Sequence, residues 1–108
     1  VERWELRGRL LELATVPKPE ALAPYRRCLT MGRYELEEGD AERLGVAVID
    51  VAHWSVWDGA LVPGIGEGTA LSLERFEDHP ELESERIESF AVPADATFLD
   101  VGWERIDG

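Results

Sequence analysis

The chain has 108 residues, 44% of them apolar and including Trp4, Trp54, Trp57 and Trp103, which is the composition of one folded domain over residues 1–108. Twenty-three carboxylates face eleven Lys and Arg side chains, a formal charge of −12; such a field repels phosphate backbones and anionic lipid, so nucleic acid and membrane surfaces are expected not to be partners. No apolar run approaches the roughly 20 residues that a bilayer span needs, so no membrane insertion is expected.

No signal peptide is visible, and a first residue of Val1 rather than Met is expected of a processed or excised form, which leaves secretion open. Cys28 is the sole cysteine, so no intrachain disulfide forms and the redox compartment is unreadable. Arginine outnumbers lysine, with Lys18 alone, a usage that suggests a GC-rich genome; the acidity also fits a halophile's solvated surface.

Taken in chain order, the dominant hydrophobic period is two. In "WELRGRLLEL", Trp4, Leu6 and Leu10 share one face of a first strand, and Gly8 lets it bend. The proline-rich "TVPKPEALAP" leaves the sheet as a loop. "YRRCLTMGRYELEEGD" reads as a second strand with Gly32 as a bulge and Glu38-Gly39-Asp40 as the turn. Residues 45–57, "GVAVIDVAHWSVW", form the most apolar stretch, a central strand covered on both faces over at least its first half.

Asp58-Gly59 is a strong turn signal. "PGIGEG" bends the chain before a fourth strand, "TALSLERF", in which Leu71 and Leu73 alternate. In "EDHPELESERIESFAVPADA", Pro80 is placed as a first helical residue and Leu82, Ile87 and Phe90 make a short apolar stripe, so one or two helical turns, or an ordered acidic loop, are expected. "TFLDVGWER" is the fifth strand, with Leu99, Val101 and Trp103 on one face and Asp100, Gly102 and Glu104 on the other. Five strands with an excursion before the last predict an all-β fold, a small five-stranded OB-like Greek-key barrel. An immunoglobulin-like sandwich is the runner-up, but it wants about seven strands.

The residues with the most chemical content are His53, Trp54, Trp57 and Asp58. Strict alternation sends Trp54 to one face and His53 and Trp57 to the other, unless a bulge intervenes. Indoles are usually buried, so both can simply cap the barrel. The alternative is a ligand platform: a sugar ring stacks on Trp57 while Asp58 accepts its hydroxyl hydrogens.

Other constellations are weaker. The acidic run around His79 (Glu74, Glu77, Asp78, Glu81, Glu83, Glu85, Glu88) lacks the spaced pattern of a calcium loop and reads as a solvated face. His53 and His79 have no zinc-ligand spacing, so no metal and no cofactor are expected. The serines lack a nucleophile elbow, "PGIGEG" is followed by no lysine for phosphate, and Cys28 reads as a small buried hydrophobe.

"GRLLELATVPKPEALAPYRRCLTMGRYEL", then "VAVIDVAHWSVWDG" and "GTALSLERFEDHPELE", resemble small OB-like or netrin-like β domains of bacterial cell-envelope proteins, some of which accompany hydrolase-like domains of the alginate-acetyltransferase type. The residues that carry the likeness are Pro24-Tyr25, Ala52-His53-Trp54 and Phe76 through Leu82, within Leu6 to Glu83. The resemblance implies an accessory module in the cell envelope or outside the cell, and brings no catalytic residue with it.

The expected function is therefore a non-enzymatic accessory or binding module for a glycan or a partner protein domain, with His53, Trp54, Trp57 and Asp58 as the candidate site. The competing expectation is a small barrel enzyme with a tryptophan-lined internal pocket, in which His53 works with Asp50 or Asp58 as an acid–base pair. A third is an interaction domain whose edge strand pairs with a partner. Oligomeric state is not legible in the sequence.

Overall fold

A computed structural model describes residues 1–102. In chain order its elements are β1 (Arg3–Leu13), α1 (Pro19–Leu22), β2 (Cys28–Leu36), α2 (Glu38–Leu44), β3 (Val48–Trp57), β4 (Ala60–Leu61), β5 (Ala70–Arg75), two 3-10 turns (Phe76–Asp78 and Pro80–Ser84), β6 (Ile87–Glu88) and β7 (Thr97–Asp100). Five of the strands close into a barrel in the order β1-β2-β3-β7-β5 and back to β1. Neighbours run antiparallel except β3 and β7, which are parallel. The expectation of a small all-β barrel is met. The two-residue strands β4 and β6 are additions at its margins.

Alternation divides the barrel strands into two sets. Leu6, Tyr34, Leu36, Ile49, Val51, Leu71, Leu73 and Phe98 pack together inside the barrel. Leu29, Met31, Ala52, Trp54, Leu99 and Val101 point outward, yet they too are buried. Leu82, Phe76, Ile87 and Phe90, from the segment between β5 and β7, cover them. That cover is why β3 is buried on both faces along nearly its whole length. The apolar stripe read around Pro80 is real, and Pro80 opens the second 3-10 turn. Trp103 and Glu104 of the expected fifth strand lie outside the described residues.

Three local readings are corrected. Glu38-Gly39-Asp40 is the start of α2 rather than a hairpin turn, and the third strand begins at Val48 instead of Gly45. Acidic Glu38 and Asp40 suit the helix start, Arg43 suits its end, and Gly45 closes it at φ 87°. Asp40 accepts a hydrogen bond from the Arg7 backbone N–H at 2.8 Å, which ties the helix to β1. Second, β2 begins at Cys28, so Tyr25, Arg26 and Arg27 stand outside the sheet. Part of the proline-rich loop before them is the single turn α1.

Third, Gly32 is not a bulge. It pairs in register with Val51 and Leu13. A Cβ at Gly32 would lie 3.1 Å from the Tyr34 ring, 3.2 Å from Leu10 and 3.4 Å from His53, so the glycine makes room for the barrel's interior. The bulges lie elsewhere. In β1, Leu10 faces Tyr34 and Glu12 faces Arg33, which leaves Leu11 extra. In β3, Trp54 faces Leu29 and Val56 faces Cys28, which leaves Ser55 extra.

Candidate functional site

The Ser55 bulge reorganises the tryptophan pair. One unpaired residue between Trp54 and Val56 resets the alternation, and Trp57 comes round to Trp54's side of the sheet. The indoles meet edge to face with centroids 4.9 Å apart and planes at 77°. The bulge is pinned by side chains: the Thr30 and Ser55 hydroxyls meet at 2.8 Å and Ser55 donates to the Cys28 carbonyl at 3.1 Å. Trp54, only 6% exposed, belongs to the outer apolar layer. Trp57 is half-buried at the rim.

Arg27 occupies the space above this pair, its guanidinium 5.7 Å from the Trp54 ring centroid and 5.1 Å from that of Trp57. It is held there by Glu85, at 2.6 Å. The Trp57 platform anticipated from the sequence is therefore already covered by a guanidinium. The exposed ring is Tyr25, 60% accessible.

Tyr25, Arg26, Arg27, Trp57, Asp58, Ser84 and Glu85 line an open cleft of about 560 Å³. It is built from three pieces: the entry to β2, the turn after β3 and the end of the second 3-10 segment. Asp58 and Gly59 both adopt positive φ, 51° and 79°, as the tight turn between β3 and β4 requires. Arg26 lies across that turn. Its Nη2 donates to the Asp58 carbonyl at 2.8 Å and its own carbonyl accepts from Gly59 N–H at 2.9 Å. A Cβ at Gly59 would fall 2.9 Å from that Nη2. Asp58 thus sits in the cleft with Trp57, as anticipated.

His53 is elsewhere. It points into the barrel, 3% exposed, with Nε2 2.8 Å from the Tyr34 hydroxyl and Nδ1 2.8 Å from Asp100 Oδ2. Burial pushes the Tyr34 phenol well above its ordinary range, and the Asp100 charge pushes it further. A phenol that donates to Nε2 matches the tautomer in which Nδ1–H donates to the Asp100 carboxylate. Neither proposed acid–base partner of His53 reaches it. Asp50, on the opposite face of β3, accepts from Arg33 Nε at 2.9 Å and from Ala94 N–H at 2.8 Å. Asp58 is bonded to Arg26 at the rim. The four candidate residues therefore divide: Trp57 and Asp58 in the cleft, Trp54 beneath it, His53 apart.

Part of the acidic run is paired with histidine or arginine. His79 Nε2 is 2.8 Å from Glu74 and its Nδ1 is 3.5 Å from Glu81. Burial acts to raise the Glu74 carboxyl, but hydrogen bonds from Arg3 and His79 prevail and hold it below the usual carboxylate range. Among the described residues, no cluster of His, Cys, Asp and Glu has the geometry to hold a metal ion. Cys28 is fully buried, and burial pushes its thiol up, away from the thiolate.

None of Tyr25, Arg26, Arg27, Ser84 and Glu85 was assigned to this cleft from the sequence; Tyr25 was named only for the family likeness and Glu85 only within the acidic run. A signal existed for the first three: an aromatic directly after Pro24 followed by an adjacent arginine pair, in a stretch with no apolar alternation. Ser84 and Glu85 had none beyond belonging to an acidic run.

No protein-family model, curated protein or solved structure matches this chain. Fold and site together define a small closed all-β barrel with a polar, aromatic-edged cleft at one rim.

Proposed function

We propose that this protein is a non-enzymatic binding module that takes a glycan in the cleft beside the Asp58-Gly59 turn. The observation that carries the reading is the exposed Tyr25 ring standing among paired Arg26–Asp58 and Arg27–Glu85 groups in one cleft. An aromatic face takes the apolar face of a sugar ring, and fixed donors and acceptors around it take the hydroxyls. The titratable chain Tyr34–His53–Asp100 runs from the buried interior to a part-exposed Asp100, and none of the three lines the cleft, which supports a role in the fold. The strand order, first-second-third-fifth-fourth with the third and fifth parallel, supports an OB-like reading of the barrel.

The test is retention of the fluorescently labelled chain on an array of immobilised oligosaccharides, with Tyr25→Ala in parallel. Retention that the variant loses is expected. Hydrolytic turnover that dies on His53→Ala in a variant still folded by circular dichroism would replace this reading with an enzymatic one.

A further inference from the structure

We infer that the ligand of this cleft is an uncharged oligosaccharide that crosses Tyr25 and occupies two adjoining depressions; the inference rests on the glycan reading above and names its chemical class.

The first observation is charge balance. The charged lining groups are Arg26, Arg27, Asp58 and Glu85, two cations against two anions. Each cation is already matched, Arg26 to Asp58 at 3.3 Å and Arg27 to Glu85 at 2.6 Å. A uronate or sulfated sugar would have to displace one of those carboxylates while approaching a chain of net charge −12. A neutral sugar displaces nothing. A guanidinium carries five N–H donors and a carboxylate about four acceptor positions, so pairing leaves both with capacity. Side-by-side donors and acceptors of that kind suit neighbouring hydroxyls, each of which donates and accepts.

The second observation is continuity. A second depression of about 430 Å³, lined by Pro19, Glu20, Ala23, Pro24, Tyr25, Arg26 and Gly59, shares Tyr25 and Arg26 with the first. Both lie in the size range of small-ligand sites, roughly 300–1,000 Å³. Tyr25 therefore stands at the divide, where its ring can serve a chain passing from one depression to the other. The only charged residue added by the second depression is Glu20, an acceptor for hydroxyls and a further obstacle to anions.

The experiment is isothermal titration of the folded chain with the neutral hexasaccharide best retained on the array, its monosaccharide, and a hexamer of mannuronic acid. The expected result is at least about tenfold tighter binding of the neutral hexamer than of its monosaccharide, with little change as sodium chloride rises from about 50 to 500 mM. Tyr25→Ala weakens the hexamer by about tenfold or more. Glu20→Ala weakens the hexamer, and hexamer affinity that does not change overturns the two-depression path. Preference for the mannuronate chain, with affinity falling as salt rises, overturns neutrality and leaves the glycan reading standing. Equal affinity for monosaccharide and hexamer overturns the two-depression path. If no glycan on the array is retained, both this inference and the glycan reading fail together.

Discussion

Tyr34 and His53 meet at 2.8 Å inside the barrel, from neighbouring strands β2 and β3, and Asp100 of β7 completes a chain of three polar side chains. Their rings are also in edge contact, centroids 5.7 Å apart. Removing the Tyr34 hydroxyl leaves Nε2 of His53 buried without its hydrogen-bond partner, which costs about 1–3 kcal/mol. Urea denaturation of Tyr34→Phe should show that loss near neutral pH.

The same phenol sets an alkaline limit. Its folded pKa is raised by burial and by Asp100, so the native chain holds a proton that the unfolded chain releases near pH ~10. Stability is therefore intact below that pH and falls above it, at about 1.4 kcal/mol per pH unit from this group. Tyr34→Phe should shallow the alkaline limb of a stability-against-pH curve. An unchanged slope would show that Tyr34 ionises normally and that its burial has been misjudged.

Gly32 is where the interior leaves no room. Its added Cβ would meet Tyr34, Leu10 and His53 at once, all within 3.4 Å. Gly32→Val is expected to lower stability by about 1–3 kcal/mol through overpacking, with Gly32→Ala nearer the low end. Thermal melts of both variants check this. A neutral Gly32→Val would mean that the barrel core is loosely packed.

Arg33 ties the segment before β7 to the barrel. Its guanidinium binds Asp50 through Nε at 2.9 Å and Nη2 at 3.1 Å, donates to the Val92 carbonyl and lies 4.5 Å from the Phe90 ring centroid. Asp50 is almost fully buried, so Arg33→Met strands a carboxylate and should cost about 3 kcal/mol or more. Hydrogen exchange should then accelerate over residues 89–96 first. Protection that falls uniformly across the barrel would argue against a local tie.

An exposed aromatic ring on a small β-barrel invites a test with single-stranded nucleic acid, and here no binding is expected. Arg3, Arg7, Arg9, Arg26, Arg27, Arg33, Arg43 and Arg86 each meet a carboxylate within 4 Å, which opposes a basic groove. Base stacking on an exposed ring contributes about 1–3 kcal/mol per base, too little without phosphate contacts. Fluorescence anisotropy with oligo-dT at about 150 mM salt should show no sub-micromolar affinity. Affinity in that range, weakening as salt rises, would falsify this.

The sequence by itself determined whatever depends on one residue and its chain neighbours. Alternation of Leu71 and Leu73 marked a barrel face, the continuous apolar run around Val51 marked a strand covered on both sides, and Asp58-Gly59 marked a turn at positive φ. The helix α2 was missed: Glu38-Gly39-Asp40 reads as a turn and Gly45 as the start of a strand, whereas Gly45 closes the helix. Tertiary structure alone decided the site. The Ser55 bulge exists only in the pairing of β2 with β3, and that one-residue slip, not local preference, set Trp57 beside Trp54 and took it off the face of His53. His53 found Asp100 47 positions away, and the cleft gathered Tyr25, Trp57 and Glu85 from three distant segments. Barrel closure brings those groups together, because which strand ends become neighbours depends on the pairing of the whole sheet and on the segment that covers its outer face.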